Sequence, residues 1–113
     1  MNELRTNNEV VTINDVVETI KRKAEHKGLQ LTKTGATTLV GKYVSLLIGI
    51  HLDWEKSIQM KEGAGSVMLS ASPRTMGVCS VEELNEMADN LKAAASIVES
   101  MNDRLEGVTI VSR

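Results

Sequence analysis

A chain of 113 residues with an apolar share of 42% has room for one domain and one core, and it is too apolar for wholesale disorder. Its formal charge of −2 permits a nucleic-acid partner without arguing for one. There is no Phe, one Tyr (Tyr43) and one Trp (Trp54), so Leu, Ile, Val, Ala and Met must build the core, and burial against a second copy is favoured.

In chain order, "EVVTIN" at 9–14 is short and β-branched and predicts a strand, after which Asn14 or Asp15 caps a helix. That helix, "DVVETIKRKAEHKG", sets Val16, Val17, Ile20 and Ala24 along one side and Lys21, Arg22, Lys23 and Lys27 largely outside. Gly28 ends it as a left-handed C-cap. "LQLTKTG" is a connector, and a second helix is predicted from about Ala36 to about Met60. Residues 61–80 hold three glycines and the only proline, which predicts a flexible small-residue segment between residues 1–60 and the C-terminal helix. Within it, "SVMLSA" alternates as a short strand would. Ser80 and Glu83 form a capping box for a third helix that runs to Gly107, and "VTIVS" reads as a final strand. The expected fold is one α+β domain over 1–113, helix-dominated, in the order β-α-α-β-α-β.

"TLVGKYVSLLIGIHLDW" at 38–54 is the most apolar stretch, and what it lies against bounds the function. A membrane span needs about 20 apolar residues, yet Lys42 interrupts at one end and His51, Asp53 and Glu55 at the other. As a helix, it aligns Thr37, Gly41, Ser45 and Gly49 in a small-residue stripe beside an apolar face of Leu39, Tyr43, Leu47, Ile50 and Trp54. Each helical glycine costs about 1 kcal/mol relative to alanine, which close packing of another helix would offset. In the third helix Leu84, Leu91, Val98 and Leu105 fall seven apart, with Met87, Ala94, Met101 and Val108 as the second series. Both patterns predict helices packed in an intersubunit bundle. Gly41, Ser45, Gly49, Leu84, Leu91, Val98 and Leu105 are the candidate oligomer interface.

Chemistry is sparse. The spacing around Gly35, Gly41 and Lys42 departs from the phosphate-loop pattern, because five residues separate the glycines and Tyr43 follows the lysine. His51 and Glu55, four apart on the expected helix, would pair as ions more readily than they would ligate a metal, since zinc sites need three or four ligands. The lone Cys79 has no histidine or basic cluster beside it to activate the thiol, and its being single favours a reducing compartment. With no apolar segment in "MNELRTNNEV" to act as a signal, cytoplasmic residence is expected. No metal, no cofactor and no enzymatic activity are expected.

Residues 9–50 resemble, in the order of their elements, the ribbon-helix-helix DNA-binding family. A β-branched strand leads into a basic helix ending at Gly28, followed by an apolar second helix. The resemblance implies a strand pair made across a dimer and inserted in the major groove, with the second helix start on phosphate. Val11 and Ile13 would then face the core, and Val10, Thr12 and Asn14 the bases. Thr37 and Thr38 would sit near the backbone. The strand offers no Arg, Lys or Gln outward, leaving Asn14 as its one bidentate reader. Residues 1–42 carry seven Lys or Arg against five acids, so Lys23 and Lys27 would meet phosphates there. The expected function is a soluble homo-oligomeric binding protein, a small DNA-binding regulator if the resemblance holds. A protein-binding adaptor or inhibitor is the alternative, as is an oligomer holding a small anionic ligand between subunits through Arg74 and the threonines of 32–38.

Overall fold

Thr12 closes strand β1 (Val10–Thr12) and opens helix α1 (Ile13–His26) at once. In the computed structural model, which describes residues 9–74, 77 and 80–111, its Oγ1 accepts from the Asp15 N–H at 3.1 Å. Its own N–H donates to the Asp15 carboxylate at 3.1 Å. This reciprocal box makes Thr12 the N-cap, ahead of the Asn14 or Asp15 that the sequence suggested. The other end stops where expected. Leu29 N–H donates to Ala24 O at 2.8 Å and Gly28 N–H to Glu25 O at 3.1 Å, with Gly28 at φ +73°. That left-handed closure turns Leu29 into the core.

The helix expected over 36–60 is absent. In its place stand β3 (Thr38–Val40), β4 (Val44–Leu52) and a seven-residue helix α2 (Trp54–Met60), preceded by the two-residue β2 (Thr32–Lys33). The physical reason lies in the period. Val44, Leu46 and Ile48 are buried, whereas Leu47 and Gly49 are exposed, so β4 alternates in twos and its β-branched residues suit a half-buried sheet. A spacing of four is also a multiple of two. Ser45 and Gly49 therefore share a strand face as readily as a helix stripe.

The segment expected to be flexible at 61–80 holds β5 (Ala64–Pro73), which pairs antiparallel with β4 from Val44↔Pro73 through to Leu52↔Gly65. Ser80 and Glu83 do cap α3 (Val81–Leu105), and β6 (Thr109–Val111) closes the chain as expected. The six strands form one mixed sheet in the order β1-β6-β5-β4-β3-β2. Only β1 and β6 run parallel; the other pairs are antiparallel.

The expected helix-dominated bundle is thus corrected to helices on a sheet. α1 supplies Val16, Val17, Ile20 and Ala24, and α3 supplies Ala94, Ile97, Met101 and Leu105, to one core with Leu39, Leu46, Ile48, Leu69 and Ile110 of the sheet. The heptad stripe of α3 meets its own chain, with Leu91 and Val98 half-buried against that core. Only Leu84, on the helix's exposed N-terminal end, is left 52% accessible. The outline behind the ribbon-helix-helix resemblance changes with it, since β1 pairs with β6 inside the chain and no second helix follows α1 directly.

Candidate functional site

A sheet covered by helices on one face must show the other to something. The register fixes which side chains those are. Thr38 opposes Leu47 and Val40 opposes Ser45, while Ser45, Leu47, Gly49 and His51 oppose Ser72, Ser70, Met68 and Ser66 in turn. All ten point away from the helical layer, because the alternate positions carry the core. None of the ten has a formal charge, in a chain with 25% charged residues. At the centre Leu47 is 48% and Met68 67% accessible. Met68 stands beside Gly49, and Leu47 beside Ser70, so each large side chain has a small neighbour on the adjoining strand.

Helix α2 covers one end of this face. Thr109 and Val111 point the same way as Met68 yet are buried, and Lys56 Nζ donates to Thr109 Oγ1 at 3.2 Å. Ser57 Oγ accepts from Ala64 N–H at 3.0 Å, and Asp53 N–H donates to Ala64 O at 2.8 Å. The helix starts because the Asp53 side chain accepts from Lys56 N–H, and it ends at Lys61 in the left-handed region. Its outer side leaves Trp54 80% accessible and Ile58 exposed as well. Large apolar groups therefore stand both on the bare sheet and on the helix flanking it.

A second feature borders the site. Among the described residues β6 pairs with β5 only at Ala64 and Gly65, and the rest of that β5 edge has no strand partner there. Asn102, from α3, fills part of the gap. Its Oδ1 accepts from Leu69 N–H at 2.7 Å and its Nδ2 donates to Leu69 O at 2.9 Å, as a neighbouring strand would. An unpaired edge invites pairing with other chains. Replacing Asn102 by leucine leaves both Leu69 groups unmet at a half-buried position, for an expected loss of about 2 kcal/mol and a faster rise in light scattering on heating. A urea titration and a turbidity melt measure the two effects.

The candidate residues read from the sequence scatter. Thr12 is occupied as a cap, with Asn14 beside it at the β1 edge of the sheet. Lys23 Nζ donates to Ser100 Oγ at 3.0 Å, and Lys27 follows the far end of α1. Thr37 accepts from Ile48 N–H through its carbonyl, and Thr38 lies on β3, four strands from β1 or roughly 19 Å at 4.8 Å per strand. These six do not form one surface. Of the candidate interface, Ser45 and Gly49 share the bare face, Gly41 lies in the β3–β4 turn and Leu105 is buried. Leu47 and Met68, the large groups of that face, were the ones sequence reasoning passed over as site residues. His51 and Glu55 fall on different elements, and among the described residues no group of three or more His, Cys, Asp or Glu could hold a metal. Cys79 lies outside the described residues.

No protein-family model, curated protein or solved structure matches this chain. Among the described residues, no helix is long and apolar enough to cross a membrane.

Proposed function

We propose that this protein is a non-enzymatic binding protein whose working surface is the bare face of its sheet, and that the partner on that face is a second copy of the chain. One observation carries the reading: ten outward positions across β3, β4 and β5 hold no formal charge and centre on accessible Leu47 and Met68. Interfaces are depleted of charge at their core and enriched in Met and aromatic residues. Six of the ten are Ser, Thr or His, so the accessible Leu47 and Met68 form an apolar centre inside an uncharged polar surround, the core-and-rim pattern of an interface.

Self-association suits the face better than a charged partner does. With no charge on it, two copies meet without like charges opposing, and each Met68 can enter the space left at a Gly49. Two sheets packed this way lie about 10 Å apart, a distance that Leu47 and Met68 can span. Trp54 and Ile58 would extend the contact at its flank. A cytoplasmic location, argued from the single cysteine, accompanies the proposal.

Light scattering behind size exclusion tests it. Across a micromolar concentration series the mass is expected to be at least twice the 12.3 kDa of one chain. A single-chain mass throughout would remove self-association and leave the face to a different protein.

A further inference from the structure

Beneath the exposed N-terminal half of α3 lies a cleft of about 610 Å³, which borders the bare face at Val40. It is formed where the loop after α1, the start of β2, the β3–β4 turn, the end of β5 and α3 converge. That volume lies within the range of small-molecule sites, roughly 300–1,000 Å³. Unlike an ordinary apolar pocket, this one is lined mainly by polar side chains. Gln30, Thr32, Thr34 and Asn90 line it.

Two cations, Arg74 and Lys42, line the cleft, and each has a partner in the chain. Arg74 N–H donates to Tyr43 O at 2.7 Å, and Arg74 Nη1 donates to Gly41 O at 2.6 Å. A guanidinium carries five N–H donors in a rigid fork, and the one bonded to Gly41 O holds this exposed side chain at the cleft wall. Gly41 is itself held, since a Cβ there would come within 3.0 Å of Gln30 O. Lys42 Nζ lies 3.4 Å from Glu86 Oε1 and 5.1 Å from the centre of the Tyr43 ring. The buried Tyr43 hydroxyl also donates to Glu86 at 3.4 Å. Hydrogen bonding to Tyr43 first, and to Glu86 next, raises Lys42 above the ordinary lysine value. The raised value favours the charged form. Whatever stability it lends is present below the ordinary lysine pKa and is lost only as pH climbs through the raised one.

We infer that this cleft binds a small phosphorylated polyol, its oxyanion on Arg74 and Lys42 and its hydroxyls against Gln30, Thr32, Thr34 and Asn90. Arg74 offers the bidentate geometry that an oxyanion fills, and such charge-assisted bonds are roughly twice as strong as neutral ones. Threonine hydroxyls and carboxamides donate and accept, which matches a hydroxylated body and not an apolar one. Glu86 limits the affinity, because it occupies Lys42 until the ligand arrives. The cleft shares Val40 with the sheet face, but its ligand contacts do not include Leu47 or Met68.

Isothermal titration of the full chain with ribose 5-phosphate, inorganic phosphate and free ribose tests the inference. Saturable binding of ribose 5-phosphate is expected, with inorganic phosphate at least about tenfold weaker and ribose weaker still. Arg74→Gln should lose at least about tenfold in affinity, whereas Glu86→Gln should gain about threefold as Lys42 is released. Both variants are checked for a native melting profile, and Lys42→Gln provides a second loss variant if Arg74→Gln melts early. Three outcomes overturn the site: no saturation by ribose 5-phosphate, unchanged affinity in folded Arg74→Gln and Lys42→Gln, or weaker binding in Glu86→Gln. Inorganic phosphate binding as tightly as ribose 5-phosphate overturns the polyol half of the assignment.

Discussion

Replacing Gly65 by alanine is expected to destabilise the protein by about 3 kcal/mol, enough to abolish a large share of a small domain's stability. Gly65 is where the sheet is pinned, for it pairs with Leu52 of β4 on one side and Ile110 of β6 on the other. A Cβ there would sit on the His51 carbonyl and within 2.8 Å of Leu52 Cα. Both obstacles are backbone, so no side-chain rotation relieves the clash and β4 must separate from β5. Gly35→Ala supplies the contrast, since nothing lies within 4 Å of its added Cβ and its change should stay within about 0.5 kcal/mol. Urea denaturation followed by circular dichroism compares the two. Equal midpoints would contradict the register at the β4–β5–β6 junction.

The second large effect concerns assembly. Leu47→Asp combined with Met68→Asp is expected to reduce the particle to a single chain while leaving its far-ultraviolet spectrum unchanged. Both side chains are already largely accessible in the isolated chain, so the substitutions remove little from its own core. In a two-fold assembly they would place four carboxylates in an apolar contact, where an unpaired buried charge costs several kcal/mol. Leu84→Asp alters an exposed apolar position of α3, away from the sheet face, and is expected to leave the mass unchanged. The reverse pattern, with Leu84→Asp dissociating the particle and the double variant intact, would move the interface to the helix.

The contrast between Ser80 and Gly49 shows what the sequence could and could not disclose. Capping chemistry is local, so Ser80 with Glu83 and the left-handed stop at Gly28 were legible, and with them α1 and α3. The apolar side of α1 was legible too, because Val16, Val17, Ile20 and Ala24 repeat with a helical period only. In 38–54 two periods coincide. Thr37, Gly41, Ser45 and Gly49 are four apart, which fits a helix stripe, yet Ser45 and Gly49 are also two steps apart on one face of β4. Long-range pairing with β5 decides between them, and no local signal encodes that pairing. The β-branched residues Val44, Ile48 and Ile50 and the two glycines were the available hint, since both disfavour helix.

The sites were less legible than the elements. Arg74 and the threonines of 32–38 could be grouped by residue type, but their joining Asn90 and Glu86 depends on α3 reaching over the end of the sheet. Asn102 reads as one more polar residue in a long helix, and only the shortness of β6 gives it a backbone to bind. Met68 sat at an outward position of the alternating "SVMLSA". What made it a site residue, the bare face around it, is a property of the assembled sheet.

Whether this bare face meets its own copy is read by an isotope-filtered nuclear Overhauser experiment on a mixture of labelled and unlabelled chains. Intermolecular cross-peaks are expected to the Met68 terminal methyl and the Leu47 methyls, and none to Leu84. Cross-peaks at Leu84 without any at Met68 or Leu47, or no intermolecular cross-peaks at all, would contradict contact through this face.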